Sequence, residues 1–203
     1  HYPLARAALE AGKHVFVEKP IALRIDEAEA LVHLSEDRNL VLMVGHLLLY
    51  HPAIVYLKQL VSMGQLGDVY YVYSARRNLG KIRQDENAMW SLAPHDISVA
   101  LYLLGEMPMT ASAHGHAYLQ PGIEDTVFFT LRFADGRLVH SHVSWLDPHK
   151  VRRFTVVGSR KMAVFDDTLS WSQKLLLYEH QIRWQDNQPV PVKVKPDRVV
   201  RAE

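Results

Sequence analysis

The chain of 203 residues is 48% hydrophobic and 22% charged, the balance of a folded protein with a sizeable core in one domain or two small ones. A formal net charge of +1 gives no electrostatic case for nucleic acid or an anionic membrane, and the absence of cysteine excludes disulfides and thiolate chemistry. The longest apolar run, Leu40 to Tyr50, is broken by Gly45 and His46 and falls short of the roughly 20 residues a membrane helix needs, and the lack of cysteine fits the expectation of a cytoplasmic protein.

Leu4 to Ala11 reads as a helix with Leu4, Ala7, Ala8 and Ala11 on one face and Gly12 as its C-cap. Val15, Phe16 and Val17 form a short apolar run, the pattern of a strand buried on both faces. A second helix runs from about Asp26 to Arg38, its apolar positions Ala28, Leu31, Val32 and Leu34, with Asp26 and Glu27 complementing the helix dipole. Leu40 to Val44 is a second apolar strand. Helix, strand, helix, strand over residues 1–45 is the pattern of a parallel α/β sheet.

From residue 46 to 203 the pattern changes to α+β. Pro52 opens a helix with Ile54, Leu57 and Val61 as its stripe, ended by Gly64. Val69 to Arg76 is a strand on which Ser74, Arg76 and Asn78 share a face and Arg77 takes the other. After a polar loop, Gly80 to Asn87, a helix runs through Leu104 with Ile97, Ala100, Leu101 and Leu104 at helical spacing. Beyond Thr110 the chain reads as β: Val127, Phe129, Leu131 and Phe133 alternate, Asp135-Gly136 marks a hairpin, and Phe154 to Val157 and Met162 to Phe165 flank another at Gly158-Ser159. Val190, Val192 and Val194, among prolines, alternate like an edge strand. The expectation is two helices on one side of a mostly antiparallel sheet. Phe128 opposes Phe129, so both sheet faces carry large residues and a second subunit is the simplest cover for the open one. His114 with His116, and His140 with His142, would each project from one strand face; with no acidic or cysteine partner at telling spacing they are read as lining the sheet or its interface, and no metal site is assigned. Trp171 and Trp184 are read as core or interface packing.

Chemistry concentrates at two places. Glu18, Lys19 and Pro20 follow the first strand, and ligands of open parallel sheets bind beyond the carboxyl ends of the strands. Lys19 there can act on a substrate; the alternative is a solvated charge before a turn. Pro94 is expected to set His95 in the first turn of a helix, where the dipole disfavours imidazolium, while Asp96 pulls the other way. The alternative for His95 is a helix-start residue bonded to a loop.

Ala8 to Leu23, containing His-Val-Phe-Val-Glu-Lys-Pro, resembles the Glu-Lys-Pro segment of the Gfo/Idh/MocA family of NAD(P)-dependent sugar and polyol dehydrogenases. Val44-Gly45-His46 resembles the crossover into that family's second domain. Gly45 to Ala53, Asn78-Leu79-Gly80 and Trp90 to Ser98 look like the branch of UDP-N-acetylglucosaminuronate 3-dehydrogenases. The resemblance implies a partial Rossmann dinucleotide-binding domain over residues 1–45 and a substrate-binding and oligomerisation α+β domain over 46–203. It implies NAD or NADP as cofactor, flanked by Glu18, Lys19 and Pro20 with His46 close by, and Lys19 and His95 as the catalytic pair that removes a hydroxyl proton and stabilises the developing charge. A nucleotide-linked sugar brings a diphosphate, which would meet Arg76, Asn78, Lys81 and Arg83, with Tyr50 and Asn87 on sugar hydroxyls. Ser91 stands where the family often has aspartate, and is either a substrate contact or the helix N-cap. A homo-oligomer is implied as well.

The family's Gly-x-Gly-x-x-Gly loop occurs nowhere in these 203 residues, so the chain is expected to be a fragment with little activity alone. The first functional reading is hydride transfer between NAD(P) and a secondary hydroxyl of a sugar. The second is a non-catalytic sugar-binding or oligomerisation module derived from such an enzyme.

Overall fold

Two apolar triplets pair near the start of the chain: β1 (Val15–Val17) lies parallel to β2 (Leu42–Val44), Val15 opposite Leu42 and Val17 opposite Val44. The computed structural model describes residues 1–198 and separates into two compact units, His1–Leu47 and Leu48 onward. In the first, α1 (Tyr2–Glu10) and α2 (Ile25–Asp37) pack on one face of the two strands, around Ala5, Leu9, Val17 and Leu31.

The buried stripe of α1 is Tyr2, Ala5 and Leu9, while Leu4 is 79% exposed. An alanine-rich helix offers several stripes of similar hydrophobicity, and the one that adds Tyr2 to a leucine is the one buried. Strand β1 is covered on one face only. Phe16 is 59% exposed, because a two-stranded sheet with both helices on the same side leaves its second face bare. Along α2, Leu31 and Ser35 are buried and Val32 is exposed. The Ser35 hydroxyl donates to the Val32 carbonyl at 2.7 Å, which lets a polar side chain sit in the core.

The second unit is a sheet of eight strands: β3 (Val69–Arg77), β4 (Thr110–His116), β5 (Thr126–Arg132), β6 (Leu138–Ser144), β7 (Val151–Gly158), β8 (Lys161–Asp166), β9 (Leu175–Gln185) and β10 (Gln188–Arg198). Their order is β10-β9-β8-β7-β3-β6-β5-β4. Only the central β3–β6 pair is parallel, so the expectation of a mostly antiparallel sheet holds, with the β10 edge where the alternating valines placed it. Strand β9, starting with three consecutive leucines, was not anticipated: the run does not alternate. The side chains of Trp184 and Val194 lie outside the described residues.

Helices α3 (Pro52–Ser62) and α4 (Ala88–Leu104) cover one sheet face. Val72, Val127, Phe129, Val139, Phe154 and Phe165 meet Ile54, Leu57, Val99 and Leu103 there. On the opposite face Tyr71, Tyr73 and Phe128 are more than two-fifths exposed. Among the described residues no helix is long and apolar enough to cross a membrane.

Candidate functional site

The carboxyl ends of β1 and β2 lie side by side in the first unit. The Gly45 amide donates to the Val17 carbonyl at 2.8 Å, which brings Gly45 under the Glu18 side chain. A Cβ at Gly45 would sit 3.0 Å from Glu18 Oε2, so any larger residue pushes that carboxylate aside. Lys19 and Pro20 follow, half-buried and joined by a cis peptide. The His1 ring lies 2.6 Å from the Pro20 carbonyl through Nδ1. His46 follows Gly45 and is half-buried. Its Nδ1 is buried, with no hydrogen-bond partner among the described residues. Burial first, and the nearby Lys19 ammonium second, hold its pKa below the ordinary histidine value, so the ring is neutral at pH 7. Glu18, Lys19, Pro20 and His46 thus gather at one end of the two strands, the end at which ligands of parallel sheets bind. A carboxylate, an ammonium and a neutral ring with an unbonded nitrogen suit the polar nicotinamide end of a dinucleotide. The sequence has no Gly-rich loop to cradle its phosphates.

In the second unit α4 starts earlier than its proline suggests. Asn87 is its cap: Oδ1 accepts from the Trp90 amide at 3.0 Å and Nδ2 donates to Glu124 at 2.8 Å. Ser91 is therefore not the cap but lies inside the helix, half-buried, its amide donating to the Asn87 carbonyl. Both ends of the Asn87 amide are engaged, which removes the reason to assign it to a sugar hydroxyl. Pro94 and His95 lie two turns into α4 rather than in its first turn. The dipole at the helix start does not reach there. His95 is half-buried, and its carbonyl accepts from the Ser98 hydroxyl.

Asp96 is 2% exposed and takes Arg76 Nε at 3.0 Å and Nη2 at 2.7 Å on Oδ1. The Ser74 hydroxyl reaches Asp96 Oδ2 at 3.0 Å and lies 2.6 Å from Ser141 Oγ. This network ties α4 to β3 and β6 one residue from His95. It corrects one expectation: the Arg76 fork is committed to Asp96 rather than open to a phosphate.

Asn78 lies just past β3, its amide donating to the Ser144 carbonyl at 3.1 Å. Its side-chain nitrogen lies 2.1 Å from the place a Cβ of Gly80 would take, so a larger residue there would displace the Asn78 amide. Lys81 is exposed, Arg83 pairs with Glu86 at 2.8 Å, and Tyr50 is 65% exposed at the end of a short 3-10 segment. Sequence reasoning missed two carboxylates beside α4. Glu124 holds the cap, and Asp125, 1% exposed, accepts the Tyr118 and Leu119 amides at 2.8 Å each. The available signal was an acidic pair just after the Pro121-Gly122 turn. Among the described residues no group of three His, Asp or Glu is placed to hold a metal.

Comparison with known proteins covers both units. The model of an oxidoreductase family with an NAD-binding Rossmann fold, Gfo/Idh/MocA, matches residues 1–46, and the model of the Gfo/Idh/MocA C-terminal domain matches 54–164. A UDP-N-acetylglucosamine 3-dehydrogenase of Acidithiobacillus ferrooxidans is 36% identical over 118 residues, 58% of this chain and 36% of that one. An uncharacterised oxidoreductase of Escherichia coli is 33% identical over 174 residues, 79% of this chain and 49% of that one. The chain therefore spans half or less of these relatives' length. Among solved structures, the same Acidithiobacillus dehydrogenase superposes with a TM-score of 0.78 at 28% identity, over 97% of this chain and 61% of that one. An inositol dehydrogenase homologue of Azotobacter vinelandii, complexed with NADH and myo-inositol, shares the fold at a TM-score of 0.81 and 19% identity, over 95% of this chain and 53% of that one.

Proposed function

Because the chain belongs to the Gfo/Idh/MocA oxidoreductase family, we propose that it supplies the proton-handling and substrate-holding side chains of an NAD(P)-linked dehydrogenase that oxidises a secondary hydroxyl of a sugar, with a nucleotide-linked sugar as substrate class. The observation that carries this reading is the Glu18-Lys19-Pro20 sequence at the ligand-binding end of β1, in a chain similar in both units to a UDP-N-acetylglucosamine 3-dehydrogenase. A bound dinucleotide would supply the acceptor for the hydride. The residues of this chain handle the proton and the charge. Lys19 would donate to the substrate oxygen and stabilise it as it becomes an alkoxide, and His95 would take the hydroxyl proton. Glu18, Pro20 and His46 would hold the nicotinamide. Asn78, Lys81, Arg83, Tyr50 and Ser91 remain the substrate contacts of the proposal. Arg76 and Asn87 take a different part, fixing α4 so that His95 has one position.

The open face of the eight-stranded sheet is proposed as the surface on which a second copy packs. The support is its exposed Tyr71, Tyr73 and Phe128. Eight strands with seven spacings of about 4.8 Å, averaging roughly eight residues in length, give a face of about 900 Å², close to the roughly 800 Å² per partner of a standard stable interface.

The functional test is reduction of NAD or NADP with UDP-N-acetylglucosamine by a protein in which a complete Gly-rich half is joined at His1, compared with the 203-residue chain. The joined protein is expected to bind cofactor and turn over. Lys19→Met and His95→Gln should each lower kcat by about 10²–10⁴-fold with substrate affinity largely kept. A joined protein that binds cofactor and the nucleotide-sugar yet reduces nothing would replace this reading with that of a non-catalytic binding module.

A further inference from the structure

Arg76 on β3 and Arg152 on β7 stand directly opposite one another. Alternation along β7 puts Arg152 on the same face as Phe154 and Val156, which are buried in the core under α3 and α4. Both guanidinium groups therefore lie on the helix-covered face, at the place where Arg76 meets Asp96 of α4.

The two arginines differ in what holds them. The Arg76 fork is closed on Asp96 and the residue is 6% exposed. The Arg152 side chain makes no hydrogen bond among the described residues. Its Nη1 lies 3.7 Å from Asp167 Oδ2, beyond hydrogen-bond reach, and its Nε is buried without a partner. Asp167 is already engaged by Lys174, whose Nζ donates to Asp167 Oδ1 at 2.5 Å and to the Asp167 carbonyl at 2.9 Å. The Arg152 side chain is 38% exposed, so a solute can reach it. We infer that Arg152 is the anion-recognising residue of the substrate site: its open fork takes the negatively charged group of the substrate, a diphosphate or a carboxylate, beside the helix that carries His95. The inference rests on the proposed reading of the chain as part of a nucleotide-sugar dehydrogenase.

The charges of the cluster leave room for that group. Three cations, Arg76, Arg152 and Lys174, face two carboxylates, Asp96 and Asp167. His51 also touches Asp167, with Nε2 4.0 Å from Oδ1, but burial first and the Lys174 ammonium second hold its pKa down, so it adds no charge at pH 7. The cluster carries +1. Like charges directly opposite one another on neighbouring strands repel unless each has a counter-charge. Asp96 supplies it in full to Arg76, and Asp167 is shared between Lys174 and Arg152. A phosphate or carboxylate completes the second pair, and a planar guanidinium binds either through two parallel N–H groups. Trp171, 45% exposed, packs on the His51 ring at 5.0 Å and offers the same cluster an apolar plate for a sugar or base ring.

Calorimetric titration of the 203-residue chain with UDP, glucuronate and N-acetylglucosamine tests this. At least one of the two anions is expected to bind, and Arg152→Met to weaken its Kd at least about tenfold. Arg152→Lys, which keeps the charge and loses the fork, should fall between the two. Arg132→Met, the same charge change at an exposed position on β5, should leave binding unchanged, as should Arg152→Met for the neutral sugar. Sensitivity confined to UDP assigns the diphosphate, and sensitivity confined to glucuronate assigns the carboxylate. Equal affinity of the parent and Arg152→Met, equal weakening by Arg132→Met, or no binding of either anion up to about 10 mM would each overturn the subsite. Arg152→Met should keep the parent's far-ultraviolet circular dichroism, since Lys174 still holds Asp167; if it unfolds, Arg152→Lys decides, and parent-like affinity in that variant overturns the subsite. Hydride transfer is read separately. Reduction of NAD by the joined protein with a KM that Arg152→Lys does not change would remove the subsite and leave the dehydrogenase reading. Anion binding through Arg152 with no reduction would do the reverse.

Discussion

Asp96 and Arg76 form an ion pair with side chains only 3% and 7% exposed, and each depends on the other for its place in the core. Removing one partner leaves the other charge buried without compensation, which costs about 3–5 kcal/mol. Asp96→Ala is therefore expected to lower the urea midpoint by an amount equivalent to about 3 kcal/mol or more, and the double replacement Arg76→Met, Asp96→Leu to recover much of it. A loss below about 1 kcal/mol in Asp96→Ala would show that the pair is solvated in solution. Half of this pair was legible in the sequence. Period-two alternation put Ser74 and Arg76 on one strand face, but nothing local links Arg76 to an aspartate 20 positions on, in another element. The place of Lys19 was legible for the opposite reason: its setting, an apolar triplet, Glu18 and a following proline, is contained in six residues.

At the scale of the element, helix starts depend on single side chains. His51 caps α3 through Nδ1, which accepts the Ala53 amide at 3.1 Å, so the neutral ring carries its proton on Nε2. Burial first, then the Lys174 ammonium, lower its pKa, against the pull of Asp167. His46 and His142 are lowered too, in both cases with burial as the leading cause. A histidine whose folded pKa lies below its unfolded value near 6.5 stabilises the fold fully above that pH, and the contribution is lost as pH falls toward the folded pKa. Stability is thus expected to decline from about pH 6.5 downward, before the carboxylates titrate. Urea midpoints at pH 7.5, 6.5 and 5.5 check this. His51→Asn keeps a capping acceptor that does not titrate, and it should flatten the slope; an unchanged slope would remove His51 from the account. The start of α3 was readable from Pro52, and the ends of both helices from Gly64 and Gly105. The start of α4 was not, because Pro94 is a proline the helix interior tolerates: its missing N–H leaves one carbonyl without its helical bond, while the Asn87 cap holds the helix start.

For the whole molecule, the size of each core sets the order of opening. Among the described residues the first unit buries four hydrophobic side chains in its cluster and the second twenty-four. Two strands with one bare face are marginal by themselves, and α1 and α2 supply what burial there is. The central pair β3–β6 has neighbours on both sides and α4 over one face. Composition and periodicity distinguished these two parts, helix-strand alternation before Gly45 and mostly strands after Thr110. They did not reveal how unequal the two cores are, since Val15-Phe16-Val17 reads the same whether one face or both are covered. Native-state hydrogen exchange should show the consequence: amides of β1 and β2 exchanging at a lower opening free energy than those of β3 and β6, with β3 and β6 approaching the global unfolding limit. Ligand-binding elements are drawn from the less stable end of a fold, and the carboxyl ends of β1 and β2, where Lys19 and His46 sit, would then tighten when a dinucleotide binds. Equal protection across β1 and β3 would mean that the small core is supported from outside the contacts described for it, and the order of opening argued from core size would fail.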